Sequence, residues 1–184
     1  INNISNGAGF IIGDQTGVGK GRVVAAMLRY AIKNDLTPIF VTEKPNLYTD
    51  MYRDFSDIGM GDIADKILIT NANQSIALTE DGSKSIKTKS NHNQFLNDAA
   101  QKGKMPKGYD VIFTTYDQMN IPKSARRVFV RSMAQNNGML VMDESHNAGG
   151  TEGAVETAKK KPRSIFFREL VTSAHSVFYS SATY

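Results

Sequence analysis

The sequence predicts an α/β fold, a three-layer α/β/α sandwich with a mainly parallel central sheet. Short apolar runs alternate with amphipathic stretches along the chain, and there is no internal repeat. The runs at residues 10–12 and 139–142 lead into a glycine-rich turn and an acidic turn, which is typical of strands that are buried on both faces. Right-handed crossovers between such strands place helices on both sides of the sheet.

Six apolar runs predict the strands, at residues 10–12, 37–42, 67–69, 108–115, 139–142 and 176–179. Five amphipathic stretches predict the helices, at residues 22–33, 45–58, 94–102, 125–133 and 164–172. Pro45 suits the first turn of the second helix, Gly59 ends it, and Ser124 caps the fourth. Residues 71–93 are polar and lack periodicity, so we expect a surface insertion there.

Length and composition predict one globular domain. Of the 184 residues, 40% are apolar, which is enough to form a core. The formal net charge of +4 neither requires nor excludes a polyanionic partner. There is no cysteine, which excludes disulfides and thiolate zinc sites. No apolar run approaches the roughly 18 residues of a membrane span, so we expect a soluble, intracellular protein.

A glycine-rich turn separates the first predicted strand from the first helix. Gly17, Gly19 and Lys20 supply the parts of a phosphate site, which are inward-facing backbone N–H groups, close backbone approach, a helix N-terminus and an ammonium group. The turn departs from the Gly-x-x-x-x-Gly-Lys-Ser/Thr pattern, because Asp14 stands at the first glycine position and Gly21 at the hydroxyl position. A tight turn before a buried helix is the alternative. The candidate nucleotide-binding residues are Gln15, Thr16, Gly17, Val18, Gly19, Lys20, Gly21 and Arg22.

An acidic pair follows the apolar run at residues 139–142. Asp143 and Glu144 are expected at the carboxyl end of a buried strand, the end of a parallel sheet at which the loop before Lys20 also emerges. Asp143 can therefore bind Mg²⁺, directly or through water, and Glu144 can orient and deprotonate an attacking water. An acidic turn after a core strand is the alternative for this motif alone.

Three segments, in the right order, resemble the motifs of superfamily 2 helicases. Residues 14–21 resemble motif I, residues 143–146 (Asp-Glu-Ser-His) a DExH-box motif II, and Ser181-Ala182-Thr183 motif III. Within that group, residues 13–22, 53–59 and 111–116 most resemble the strawberry notch-type helicase family, which has its own Gly-Lys-Gly version of the loop around Gly21. The resemblance covers almost the whole chain.

The resemblance implies that residues 1–184 are a first RecA-like domain that binds ATP and Mg²⁺ and hydrolyses ATP. It implies that Lys20 and Glu144 are catalytic, that Asp143 holds the metal, and that His146, Ser181 and Thr183 couple the γ-phosphate state to movement. Without a hydroxyl at Gly21, one Mg²⁺ ligand must be water or another side chain. We expect a second RecA-like domain, with its arginine finger, in the same longer chain, and very little turnover by this lobe alone.

Two predicted strand ends offer candidate contacts with nucleic acid, DNA more than RNA. In similar helicases the corresponding segments hold a phosphate backbone, and such contacts position a protein without reading sequence. The candidates are Thr42, Lys44, Thr114, Thr115 and Tyr116. Ordinary strand-end caps are the alternative. We expect the basic clusters at residues 123–131 and 159–168 to be solvated helix faces.

The preferred hypothesis is therefore the ATP-binding lobe of a nucleic-acid-dependent helicase or translocase. A non-hydrolysing, helicase-like interaction module in a regulatory or virion assembly is the alternative, because Gly21 departs from the usual loop. A small-molecule P-loop kinase is a third option, which the acidic pair and the Ser181-Ala182-Thr183 segment disfavour.

Overall fold

A computed structural model describes residues 9–13, 19–149 and 160–181 of the chain. Within these residues six strands form one sheet in which every neighbouring pair is parallel. They are β1 (Gly9–Gly13), β2 (Thr37–Thr42), β3 (Ile67–Ile69), β6 (Val111–Thr115), β7 (Gly138–Asp143) and β8 (Ser176–Ser181). Their order across the sheet is β1-β8-β7-β2-β6-β3. The predicted α/β fold is confirmed.

Helices cover both faces of this sheet. The first face carries α1 (Lys20–Lys33) and α2 (Leu47–Asp57), and the second carries α3 (His92–Lys102), α4 (Ala125–Gln135) and α6 (Lys160–Ser173). A single turn, α5 (His146–Gly149), follows β7. Because successive strand side chains point to opposite faces, Phe40 packs into the first core while Ile39 and Val41 pack into the second.

The direction of each crossover explains this division. The chain advances from β1 through β2 to β3 with its helices on the first face, and returns through β6 and β7 to β8 with its helices on the second face. On the return path both the direction across the sheet and the face that carries the helices are reversed. Every crossover therefore has the same hand, as expected for parallel β-α-β units. The path inserts β8 between β1 and β7, so the carboxyl ends of all three parallel strands lie at one edge of the sheet.

The predicted surface insertion contains regular structure that its composition did not indicate. An antiparallel hairpin is formed by β4 (Ser75–Ala77) and β5 (Ser85–Lys87). Leu78 and Ile86 from this hairpin are buried against the first face of the domain. Strands of three residues are too short to show periodicity, and their few apolar side chains were hidden in a polar stretch.

The observed bounds differ from the predicted ones at a few ends. The third helix begins at His92 rather than residue 94, α6 begins at Lys160 rather than residue 164, and β6 begins at Val111 rather than residue 108. Ser124 caps α4 as predicted, its side chain accepting a hydrogen bond from the Arg127 backbone N–H. Within the described ranges, no helix is long and apolar enough to cross a membrane.

Candidate nucleotide site

The site begins where the phosphate-loop segment joins α1. Gly19 is the residue before the helix and has a left-handed backbone, with φ of 76° and ψ of 16°. Glycine adopts this conformation without the steric cost that a Cβ would impose. Lys20 follows as the first residue of α1. It lies at the positive end of the helix dipole and at the edge of the sheet where the strands end.

Lys20 joins this turn to the acidic pair at the end of β7. Its Nζ lies 3.2 Å from Glu144 Oε1, to which it donates a hydrogen bond, and 3.8 Å from Asp143 Oδ1. The exposed fractions of the three side chains are 14% for Lys20, 21% for Asp143 and 24% for Glu144. The ions are thus partly desolvated, and their attraction is stronger than that of a surface pair. Lys20 and the acidic pair therefore form one charged cluster, although they are 123 and 124 positions apart in the sequence.

The backbone of Glu144 turns sharply after β7. Its φ of 48° lies in the left-handed region, which a residue with a side chain seldom adopts. Conformations of this kind persist where the surrounding structure holds them, often at functional sites. Glu144 Oε2 also lies 3.5 Å from His146 Nδ1, so its carboxylate is held between Lys20 and His146.

Asp143 is held by contacts from both neighbouring parts of the sheet. The buried Tyr116 hydroxyl donates a hydrogen bond of 2.8 Å to the Asp143 carbonyl oxygen. Ser180 on β8 is the register partner of Asp143, and its fully buried hydroxyl has no hydrogen-bond partner of normal geometry among the described residues. Burial raises the pKa of the Asp143 carboxyl; the nearby Lys20 ammonium opposes this most, and the Ser180 hydroxyl opposes it further. Asp143 is thus a carboxylate whose surroundings favour an added cation.

A family described as P-loop containing NTP hydrolase pore-1 has a model that matches residues 3–184. The chain belongs to this family. No curated protein matches the chain. The family match agrees with the glycine-rich turn, the Lys20 contacts and the parallel sheet, and it indicates a nucleotide-hydrolysing domain.

The donors of this P-loop domain suit Mg²⁺ that is shared with a nucleotide. In the parts of the chain that the structure describes, no three His, Cys, Asp or Glu side chains are close enough to hold a metal ion. Mg²⁺ does not need such a cage, because it commonly keeps several waters and takes one or two carboxylates together with phosphate oxygens. Asp143, which is partly desolvated at the end of β7, fits that requirement.

The space next to Gly21, at the usual hydroxyl position of the loop of this P-loop NTP hydrolase, is occupied by Asp54. A Cβ atom built on Gly21 would overlap Asp54 Oδ2 and lie 2.6 Å from Asp54 Cγ. The Asp54 carboxylate, from α2, therefore occupies the space that a serine or threonine side chain would need. Asp54 was not predicted as a site residue, although glycine at the hydroxyl position of the loop leaves space for another side chain.

The remaining predicted nucleotide and coupling residues are placed differently from one another. Arg22 points to solvent, 64% exposed, and its Nη2 lies 3.1 Å from Asp57 Oδ2. The structure thus does not bring the Arg22 side chain to the acidic pair. Ser181 ends β8 opposite Gly13 of β1, at the predicted edge. Five predicted site residues lie outside the described residues: Gln15, Thr16, Gly17, Val18 and Thr183.

Four of the five candidate nucleic-acid residues are buried, namely Thr42, Thr114, Thr115 and Tyr116. Thr114 Oγ1 lies 2.6 Å from Thr70 Oγ1, and Tyr116 bonds to the Asp143 carbonyl. The structure favours the alternative for these four side chains, which is packing at strand ends. Lys44, with 67% of its side chain exposed, is available to a partner at this edge.

Proposed function

We propose that this chain is the ATP-binding and ATP-hydrolysing lobe of a helicase or translocase that moves on nucleic acid, DNA more than RNA. The observation that carries the hydrolytic part is the contact of Lys20 with both Asp143 and Glu144. A lysine at a phosphate-loop helix, a metal carboxylate and a candidate base within one cluster are the parts that phosphoryl transfer to water requires.

Each residue has a distinct role in this proposal. Lys20 is the charge partner of the β- and γ-phosphates, so a bound triphosphate would compete with the carboxylates for its ammonium group. Glu144, released in part from Lys20 and still next to His146, would accept a proton from the attacking water. Asp143 would hold Mg²⁺, which when bound supplies positive charge at the β- and γ-phosphates.

Support for the motor part comes from the sequence and from topology. The segments that resemble helicase motifs I, II and III follow β1, β7 and β8, which lie side by side in the sheet. Contacts around the γ-phosphate can therefore reach Ser181 at the end of β8, and the exposed Lys44 lies at the same edge. A second RecA-like domain of a longer chain would close over this edge and supply an arginine finger.

A non-hydrolysing interaction module remains the second candidate because of Gly21. The usual hydroxyl ligand is missing, and an acidic side chain fills its place. A module that only binds partners would keep its shape through the Lys20 ion pairs without turning over nucleotide.

The two candidates are separated by the Glu144→Gln variant of the protein that contains this chain. Affinity for ATP with Mg²⁺ should stay within about threefold of wild type, whereas turnover should fall by about 10²–10⁴, because only the base is removed. Asp143→Asn should instead weaken Mg²⁺-dependent binding. Glu43→Gln, which changes an exposed carboxylate at the end of β2, is the matched control and should leave both unchanged. Wild-type turnover in both site variants would reject the hydrolytic roles.

Nucleic acid tests the motor part separately. Turnover should rise when single- or double-stranded DNA or RNA is added, and strand separation would distinguish a helicase from a translocase. The 184-residue chain alone should hydrolyse ATP hardly at all, since an arginine finger is worth roughly 10³–10⁵ in rate. A chain that matched the stimulated rate of the longer protein would contradict the two-lobe mechanism.

A further inference from the structure

The contact between Asp54 and Gly21 brings a carboxylate to the first turn of α1. Gly21 directly follows Lys20, whose ammonium group reaches the acidic pair. Asp54 approaches the same turn from α2, so closely that its Oδ2 overlaps the position of a Gly21 Cβ. Carboxylates from two different elements, α2 and the end of β7, therefore approach neighbouring residues of the phosphate-loop helix.

Asp54 has no ion-pair or hydrogen-bond partner among the described residues, although two arginines are near it. Arg22 pairs with Asp57 at 3.1 Å, and Arg53 pairs with Asp50 at 3.2 Å. The Asp54 carboxylate, unlike its neighbours Asp50 and Asp57, therefore lacks a bonded cation.

A bound triphosphate would make that lack more severe. It would bring several negative charges to the start of α1, beside Asp54, and like charges at short range repel. A divalent cation between the phosphates and Asp54 would convert the repulsion into attraction. The Ser/Thr hydroxyl of the common phosphate loop is a ligand of this cation, and it is the group whose space Asp54 occupies.

We propose that Asp54 supplies, directly or through a bound water, the oxygen ligand to Mg²⁺ that a Ser/Thr hydroxyl supplies in the common phosphate loop. The inference rests on the proposed Mg²⁺-dependent nucleotide binding and adds a residue to it. Asp54 would then hold the metal together with phosphate oxygens, water and, under the proposed function, Asp143. Gly21 is required because any larger residue would displace Asp54.

The test compares Asp54→Asn with its control Asp57→Asn, since both remove one negative charge from α2. ATP affinity is measured by calorimetry with Mg²⁺ and again with EDTA. With Mg²⁺, Asp54→Asn should weaken ATP binding about 10- to 100-fold, the usual cost of losing a group that supports a metal. With EDTA it should bind ATP as well as wild type or more tightly, because a repulsive charge is gone. Asp57→Asn should resemble wild type in both conditions.

A loss of ATP affinity with Mg²⁺ but not with EDTA separates a metal ligand from a structural residue. If Asp54→Asn weakened ATP binding equally in both conditions, Asp54 would only shape the loop, and the inference would be overturned. It would also be overturned if Asp54→Asn matched wild type in both. If wild-type protein bound no ATP even with Mg²⁺, the proposed function itself would fail, which is a distinguishable result.

Discussion

Replacing Lys20 with alanine removes a cation that contacts both members of the acidic pair. Lys20 Nζ lies 3.2 Å from Glu144 Oε1 and 3.8 Å from Asp143 Oδ1, and all three side chains are mostly buried. With nucleotide, the same ammonium group is the proposed partner of the phosphates. Lys20→Ala should therefore lower both the stability of the folded chain and its affinity for a triphosphate.

The size of each effect follows from the geometry. At an effective dielectric constant of about 20, unit charges 3.2 Å apart attract by about 5 kcal/mol before desolvation is subtracted. Desolvation and side-chain ordering offset most of this, and a charge-assisted hydrogen bond contributes about 1.5–3 kcal/mol net. We expect a loss of about 1–3 kcal/mol in unfolding free energy. Triphosphate binding should weaken by about 1.5–3 kcal/mol, which is roughly 10- to 150-fold in Kd.

Denaturant unfolding measures the first effect, and calorimetric titration with Mg²⁺ and ATP measures the second. Lys33→Ala is the matched control, because Lys33 is an exposed lysine in the last turn of the same helix. It should change stability by less than about 0.5 kcal/mol and leave Kd unchanged. In a Glu144→Gln background, the stability cost of Lys20→Ala should shrink by about 0.5–3 kcal/mol, since one partner has already lost its charge. Equal triphosphate affinity in wild type and Lys20→Ala would refute the phosphate-loop assignment.

Two further predictions concern the packing around the site and a buried histidine. Gly21→Ser should force the Asp54 carboxylate out of its position, at a cost of about 0.5–1.5 kcal/mol in unfolding free energy. The added change Asp54→Ala should remove most of that cost in denaturant unfolding, and an additive double variant would contradict the overlap. His92 is buried with Nε2 3.2 Å from the Thr70 carbonyl oxygen, and burial lowers its pKa. In the unfolded chain the histidine pKa is about 6.5, so the unfolded state binds a proton more readily than the folded state does. Protonation of His92 therefore lowers the free energy of unfolding as the pH falls below about 6.5. The stability difference between wild type and His92→Gln should be constant above about pH 7 and shift against wild type as the pH falls below about 6.5; a pH-independent difference would show that His92 does not titrate differently on folding.

Most elements of the fold could be predicted because they depend on local rules. The runs at residues 67–69 and 139–142 are apolar at consecutive positions, as strands covered on both faces must be. Ser124 caps its helix through a contact with a residue three positions away. The β4–β5 hairpin could not be predicted in the same way, because Leu78 and Ile86 are fixed by packing against a distant face of the domain and not by periodicity.

The sequence by itself determined which chemical groups this domain can bring to a phosphate. The glycines and Lys20 before a helix, and two carboxylates after a buried strand, already imply that the groups share one edge, because parallel strands end on the same side. Only the tertiary structure decided the contacts of Lys20 with the acids, the burial of Thr114 and Tyr116, and the approach of Asp54 to Gly21. These contacts depend on distances of a few ångströms between elements that are far apart in the sequence. The packing of the helices on the sheet sets those distances, and local sequence patterns do not encode them.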